Sequence, residues 1–207
     1  MTYQTILFDV DNTLLDSASL AATALHEATA KFGYEVSEAT ARTLVGVPTD
    51  KALASQNVPA NPELIADFNA RLTASKDQLR FFDGIPELLQ ALVAANITIG
   101  VVTSRTRAQI AGDLGAFPEI TGQPILVNAD DTTEHKPSGA PLEYALKHYQ
   151  LDPATAMYVG DTIYDMQSAL NAKIDFASAS WGALPTTDFS KATYQPQTPS
   201  DLLKLII

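Results

Sequence analysis

The stretch Ile6-Leu7-Phe8-Asp9-Val10-Asp11-Asn12-Thr13-Leu14-Leu15-Asp16 decides how the rest of the chain is read. Ile6-Leu7-Phe8 is too short for a helix face and is rich in β-formers, so it predicts a buried strand. The run ends on Asp9, and a second carboxylate follows two positions later at Asp11. Ionised carboxylates at the rim of an apolar strand resist leaving water unless something offsets their charge. A divalent cation with hard oxygen ligands does so, and Mg²⁺ is the usual ion of phosphate chemistry. The same residues also suit a strand end followed by an Asx-type turn, because Asp and Asn favour turns in any case. What the other strands end on decides between the two readings.

After Asp16 the texture becomes helical. Leu20, Ala24, Leu25, Ala28 and Phe32 form an apolar stripe over Ser17 to Phe32, and Gly33 stands just past its end. Ser37 opens a second helix toward Val45, and Gly46-Val47-Pro48 punctuates. A third helix starts at Thr49 or Asp50, and Asn61-Pro62 opens a fourth that reaches toward Leu79. Such helices with short connections predict a small bundle.

From Phe81 onward, helical and strand patterns alternate. The further strands are Ile97 to Val102, Ile125 to Val127, Met157 to Val159 and Ile174 to Ala177. Helices read over Pro86 to Ala95, Thr106 to Leu114, Pro141 to Tyr149, Thr162 to Ala172 and Pro199 to Ile207. Strands separated by helices predict a doubly wound α/β domain with a mainly parallel sheet. Residues 1–16 and 81–207 then form the core, and 17–80 is a helical insertion directly after the first strand. Ser180 to Pro199 is Pro/Thr-rich and reads as partly irregular.

The totals narrow the function. A chain of 207 residues has room for one substantial domain, or for one domain with a smaller insertion. A net charge of −11 argues against a nucleic-acid partner, since phosphate polymers need basic surfaces. A small phosphate substrate stays open, because exposed charges are screened beyond about 8–10 Å. With no cysteine, disulfides, thiol catalysis and thiolate metal sites are excluded. No apolar run approaches the roughly 18–20 residues of a membrane span, and Met1 to Thr5 shows no leader pattern. The expectation is a cytoplasmic protein, a monomer or weak homodimer, with no membrane partner.

In open parallel sheets, ligands bind beyond the carboxyl ends of the strands. The first strand ends on Asp9 and Asp11, and the second on Thr103-Ser104-Arg105. The third ends on Asn128-Ala129-Asp130-Asp131, with Lys136-Pro137 shortly after, and the fourth on Gly160-Asp161-Thr162-Ile163-Tyr164-Asp165. Acids, hydroxyls and a lysine thus gather at one edge. Asp161 and Asp165, at i and i+4 of a helix start, can face one side.

Asp9-Val10-Asp11-Asn12-Thr13-Leu14, Thr103, Lys136-Pro137 and Gly160-Asp161-x-x-x-Asp165 together resemble the four ordered motifs of the haloacid-dehalogenase-like hydrolase superfamily. The helical insertion resembles the cap of its phosphoglycolate-phosphatase-like branch. The resemblance implies a Rossmannoid core and a Mg²⁺-dependent phosphatase acting on a small phosphorylated metabolite through an aspartyl-phosphate. It implies Asp9 as nucleophile and Asp11 as acid and base. Asp9, Asp161, Asp165 and, through its backbone carbonyl, Asp11 would hold the metal; Asp165 would do so through water or would anchor Lys136. Asn12, Thr103, Ser104 and Lys136 would bind substrate, with Thr103 and Lys136 also serving catalysis on the phosphate.

Plainer roles stand beside these. Thr103 could cap the helix near Thr106, Lys136 could be a solvated loop residue, and Asp165 could be a first-turn acid favoured by the helix dipole. Arg105 reads as a surface residue, Trp181-Gly182 as packing, and the scattered His26, His135 and His148 carry no role. Asn12 and Lys173 stand where relatives often have Gly, and Asn tolerates positive φ. A phosphomutase using the same Asp9 and Asp11 is the nearest alternative activity, and a silent binding protein of this fold is the other.

Overall fold

A computed structural model describes residues 3–45 and 49–207, so Gly46-Val47-Pro48 and the first two residues lie outside the described residues. The chain divides into two compact units, Met1–Leu15 with Phe81–Ile207, and Asp16–Arg80. Asp16, placed with the core on sequence alone, goes with the helical unit because its carboxylate caps α1 (Ser17–Lys31), accepting from the Ser19 N–H at 3.3 Å.

The larger unit is built on five parallel strands in the order β3-β2-β1-β4-β5. These are β1 (Thr5–Phe8), β2 (Thr98–Val102), β3 (Ile125–Val127), β4 (Ala156–Gly160) and β5 (Asp175–Ser178). All of β1 and β4 is buried, as expected where helices cover both faces of a parallel sheet. The register sets Leu7 beside Gly100 and Tyr158. That face, with Val102 and Phe176, packs on α8 (Ala140–His148) and α9 (Ile163–Ala172). Ile6, Phe8, Val101, Met157 and Val159 fill the other face, each fully buried. Each such side chain contributes about 1.5–3 kcal/mol through burial.

The remaining core helices are α5 (Ile85–Ala94), which lies against β2, α6 (Arg107–Asp113), the short α7 (Pro118–Thr121) and α10 (Pro199–Ile206), which packs on α5. The sequence pattern missed α7, whose four residues are too few to show a period. Ser180 to Pro199 is largely irregular, yet it protects the β5 edge. Tyr194 N–H donates to the Phe176 carbonyl at 3.1 Å, and Ser178 N–H to the Tyr194 carbonyl at 3.0 Å. At the end of α9, Lys173 adopts φ 59°, the left-handed position where Gly is the usual choice.

The smaller unit holds α1, α2 (Glu38–Thr43), α3 (Thr49–Ser55) and α4 (Pro62–Ala74). Ala22, Leu25, Val36, Ala41, Leu53, Val58 and Leu64 form its core. Gly33 follows α1 at φ 82°, and Asn61 caps α4 by accepting from the Glu63 N–H at 2.8 Å. The helix expected to run to Leu79 stops at Ala74. There the Ser75 hydroxyl donates to the Leu72 carbonyl at 3.0 Å, competing with the helical pattern, and a single turn over Lys76–Gln78 follows. Among the described residues, no helix is long and apolar enough to cross a membrane.

Gly100 marks the tightest point of the sheet. A methyl group there would lie 2.6 Å from Leu7 Cδ2 and 2.8 Å from Ile125 Cβ. Gly100→Ala is expected to destabilise the protein by about 1–3 kcal/mol in urea unfolding, and an unchanged midpoint would contradict this packing.

Candidate active site

Strand order places the carboxyl ends of β1 and β4 side by side, so Asp9 and Asp161 become neighbours. Asp9 still belongs to the sheet ladder, its N–H donating to the Val159 carbonyl at 2.9 Å. Its carboxylate is buried, and Lys136 Nζ donates to its Oδ1 at 2.7 Å. The same ammonium donates to Asp165 Oδ1 and to the Tyr158 hydroxyl, each at 2.7 Å. Lys136 is therefore no solvated loop residue: its side chain is only 6 % exposed. Burial opposes its charge, but the Asp165 and Asp9 carboxylates outweigh that and hold its pKa well above the usual lysine value.

Asp165 is placed by the start of α9. Its backbone N–H donates to the Thr162 hydroxyl at 3.1 Å, while its Oδ2 accepts from the Thr162 N–H at 3.0 Å and from the Thr162 hydroxyl. This reciprocal cap fixes the rotamer that meets Lys136. Gly160 makes room for it: a methyl group there would stand 2.5 Å from Asp165 Cβ. Of the two roles the resemblance offers Asp165, these bonds display the anchoring of Lys136.

Tyr158 is a site residue that sequence reasoning missed. Its hydroxyl lies 3.0 Å from both Asp165 Oδ1 and the Val102 carbonyl, while accepting from Lys136. A tyrosine in an apolar strand reads as core packing, and its polar tip was the only available signal.

Asp9, Asp161 and Asp165 each offer a carboxylate oxygen, all within 4.8 Å of one another and all from buried residues. Burial pushes the Asp161 carboxyl up to about 9, with the Asp9 and Asp165 charges adding to the effect. Burial pushes Asp9 up to about 7, although Lys136 pulls it down. A set of hard oxygen donors that resists its own negative charge fits a hard divalent cation. The Thr13 hydroxyl, fully buried, donates toward Asp161 Oδ1 at 3.4 Å.

The Asp11 carboxylate stands apart from this group. Arg105 holds it with two bonds of 2.7 Å, through Nε and Nη2, and Arg105 Nη1 reaches Asp113 at 2.9 Å. Arg105, expected as a surface residue, is instead half-buried; burial opposes its charge, but the Asp11 and Asp113 carboxylates together outweigh that and raise its pKa. The geometry leaves the Asp11 backbone carbonyl as the atom through which the resemblance gives this residue a metal role. Asn12 forms the turn at φ 57°.

Thr103 is buried at the end of β2, with its hydroxyl accepting from the Arg105 N–H at 3.2 Å. The cap of α6 is Thr106, which exchanges bonds with Gln109, so Thr103 does not serve that purpose. Ser104 beside it is exposed.

The doubly wound parallel core thus gathers buried carboxylates around one lysine at its strand ends. Residues 6–179 match the family model of haloacid dehalogenase-like hydrolases, and the chain belongs to that family. A phosphoglycolate phosphatase of Xylella fastidiosa is 30 % identical over 201 residues, covering 94 % of this chain and 87 % of the relative. The pyrophosphatase PpaX of Bacillus velezensis is 28 % identical over 210 residues, covering 97 % and 94 %. In fold, the chain is similar to a HAD family hydrolase from Deinococcus radiodurans solved with bound phosphate and sodium. That match has a TM-score of 0.84 at 18 % identity and covers 97 % of this chain and 93 % of the other.

The raised carboxyl groups have a consequence for stability. Asp9 and Asp161 bind protons more tightly folded than unfolded, from an ordinary value of 3.8. Their contribution is full in acid and is lost as pH rises through about 7 and about 9. In EDTA the thermal midpoint should therefore fall between about pH 5 and about pH 9, and Asp161→Asn should flatten that fall. A midpoint that rises with pH across this range in EDTA would contradict the assignment.

Proposed function

We propose that this protein is a Mg²⁺-dependent phosphatase that hydrolyses a small phosphomonoester through an aspartyl-phosphate on Asp9. The observation that carries the reading is the buried Asp9 carboxylate, held by Lys136 through one oxygen and set beside Asp161. Phosphoryl transfer depends on positioning and charge neutralisation more than on elaborate covalent chemistry, and these groups provide both.

In the first step an Asp9 carboxylate oxygen attacks phosphorus, and the bond from phosphorus to the ester oxygen breaks. Asp11, let go by Arg105 and carrying a proton, gives that proton to the departing alcohol oxygen. In the second step Asp11 takes a proton from water as the water oxygen attacks phosphorus, and the Asp9 oxygen–phosphorus bond breaks to return the carboxylate. The Thr103 hydroxyl donates to a phosphate oxygen, with Ser104 and the Asn12 turn at the same rim. Lys136 offsets phosphate charge while holding Asp9 in its rotamer, and Asp165 and Tyr158 hold Lys136. Asp9, Asp161 and the Asp11 carbonyl would hold Mg²⁺, with Asp165 behind them, and the ion supplies positive charge against the phosphate oxygens.

Residues 16–80, inserted directly after the catalytic turn, are assigned the part of a cap that sets specificity. The candidate substrates are phosphoglycolate, a sugar phosphate or a nucleotide, with pyrophosphate, an anhydride cleaved by the same attack on phosphorus, as the other candidate. The relatives named for phosphoglycolate and pyrophosphate support that range.

Hydrolysis of p-nitrophenyl phosphate should vanish with EDTA, return with Mg²⁺ and be abolished in Asp9→Asn without loss of fold. Metal-independent turnover, or an active Asp9→Asn, would reject the site. Asp11→Asn is expected to slow alkyl phosphates by about 10²–10⁴-fold and aryl phosphates much less, because only the poorer leaving group needs a proton. Equal losses on both substrates would remove Asp11 as the acid.

A further inference from the structure

Directly after β5 the chain makes a tight turn in which the Gly182 and Ala183 N–H groups both donate to the Ala179 carbonyl, at 3.0 and 3.1 Å. Two bonds tie this turn to the candidate site from opposite sides. The Ala179 N–H donates to the Gly160 carbonyl at 2.7 Å, one residue before Asp161. The Trp181 indole N–H donates to the Thr13 carbonyl at 2.9 Å, two residues after Asp11. Gly182 is what allows so close an approach: a methyl group there would lie 1.7 Å from the Asn12 carbonyl oxygen and 2.7 Å from its carbon. Thr13, gripped through its carbonyl, turns its hydroxyl toward Asp161 Oδ1 at 3.4 Å.

The turn over residues 11–15 has its own bonds. The Leu14 and Leu15 N–H groups both donate to the Val10 carbonyl at 3.0 Å, and Asn12 N–H to the Leu15 carbonyl at 2.7 Å. These bonds set its shape. Its distance from the end of β4 is a separate quantity, and the bonds of Trp181 and Thr13 act on that distance.

We infer that Trp181 and Gly182 are positioning residues that hold the Asn12–Thr13 turn against the end of β4, so that Asp161 and the backbone that carries Asp11 keep their places beside Asp9. The indole suits this work because it is a donor only and its rigid ring reaches across the gap with few rotatable bonds. Neither residue touches the reacting atoms. Their effect passes through Thr13 and through the backbone that carries Asp11. The inference rests on the phosphatase reading above.

Trp181→Phe keeps an aromatic ring and removes the donor. With p-nitrophenyl phosphate and Mg²⁺, kcat should fall roughly 10- to 100-fold at nearly unchanged KM, and the Mg²⁺ concentration for half-activation should rise. The thermal midpoint should move little. Thr13→Val should give the same pattern, and the double variant should lose no more than the worse single variant, because the indole bond to the Thr13 carbonyl and the Thr13 hydroxyl bond to Asp161 act in series. Wild-type kcat and Mg²⁺ response in a folded Trp181→Phe, or losses that multiply in the double variant, would overturn the inference and leave the phosphatase reading standing. Wild-type protein inactive with Mg²⁺ on a panel of phosphate esters would overturn both. If Trp181→Phe does not fold, the wild-type protein carries the test, since Trp181 is its single tryptophan. Mg²⁺ with orthovanadate should then change the indole emission at the concentration that inhibits turnover, and unchanged emission would overturn the inference.

Discussion

One ammonium group among buried carboxylates is the constraint on which the site depends. Lys136 Nζ donates to Asp9, Asp165 and the Tyr158 hydroxyl, and it lies almost wholly out of water. A buried cation of this kind is tolerable only when its donors are satisfied, and buried acids only when a cation stands near. Each therefore stabilises the ionised form of the other. The single positive charge does not balance the whole set, since burial still raises Asp9 and Asp161. That imbalance fits a divalent cation at the cluster better than a closed ion pair.

The groups come from separate strand ends, and the fold supplies their convergence. β1 and β4 are neighbours although the chain between them visits β2 and β3 first. The cleft where the strand connections part in opposite directions is the place an open α/β sheet offers to a ligand. Local sequence then sets each rotamer. Thr162 caps α9 and aims Asp165, Gly160 makes room for it, and Thr106 takes the capping of α6 so that Thr103 stays available at the strand end.

Much of this was legible because burial on both sides writes parallel strands as short, wholly apolar runs. Ile6-Leu7-Phe8, Ile125-Leu126-Val127 and Met157-Tyr158-Val159 are each followed closely by polar or acidic residues, and all three are strands. Helix starts were legible where a side chain caps them, as at Ser37, Asn61 and Thr162. The break after Ala74 was not, because a serine in a helical pattern signals equally a solvent-facing residue and one that bonds back to the chain. Tyr158 was hidden by its strand, and the Arg105 grip on Asp11 by a separation of 94 residues.

The sequence by itself determined the class of fold, the order of its elements and which acids, hydroxyls and lysine stand at strand ends. Those features follow from local periodicity and from residue chemistry, both of which are written within a few neighbouring positions. Only the tertiary structure decided which of these groups meet. Strand order brought Asp9 beside Asp161, sent Asp11 to Arg105 and Asp165 to Lys136, and laid Trp181 against Thr13 across 168 residues. Such pairings depend on how sheet and helices pack as a whole, and no local pattern along the chain encodes a distance through space.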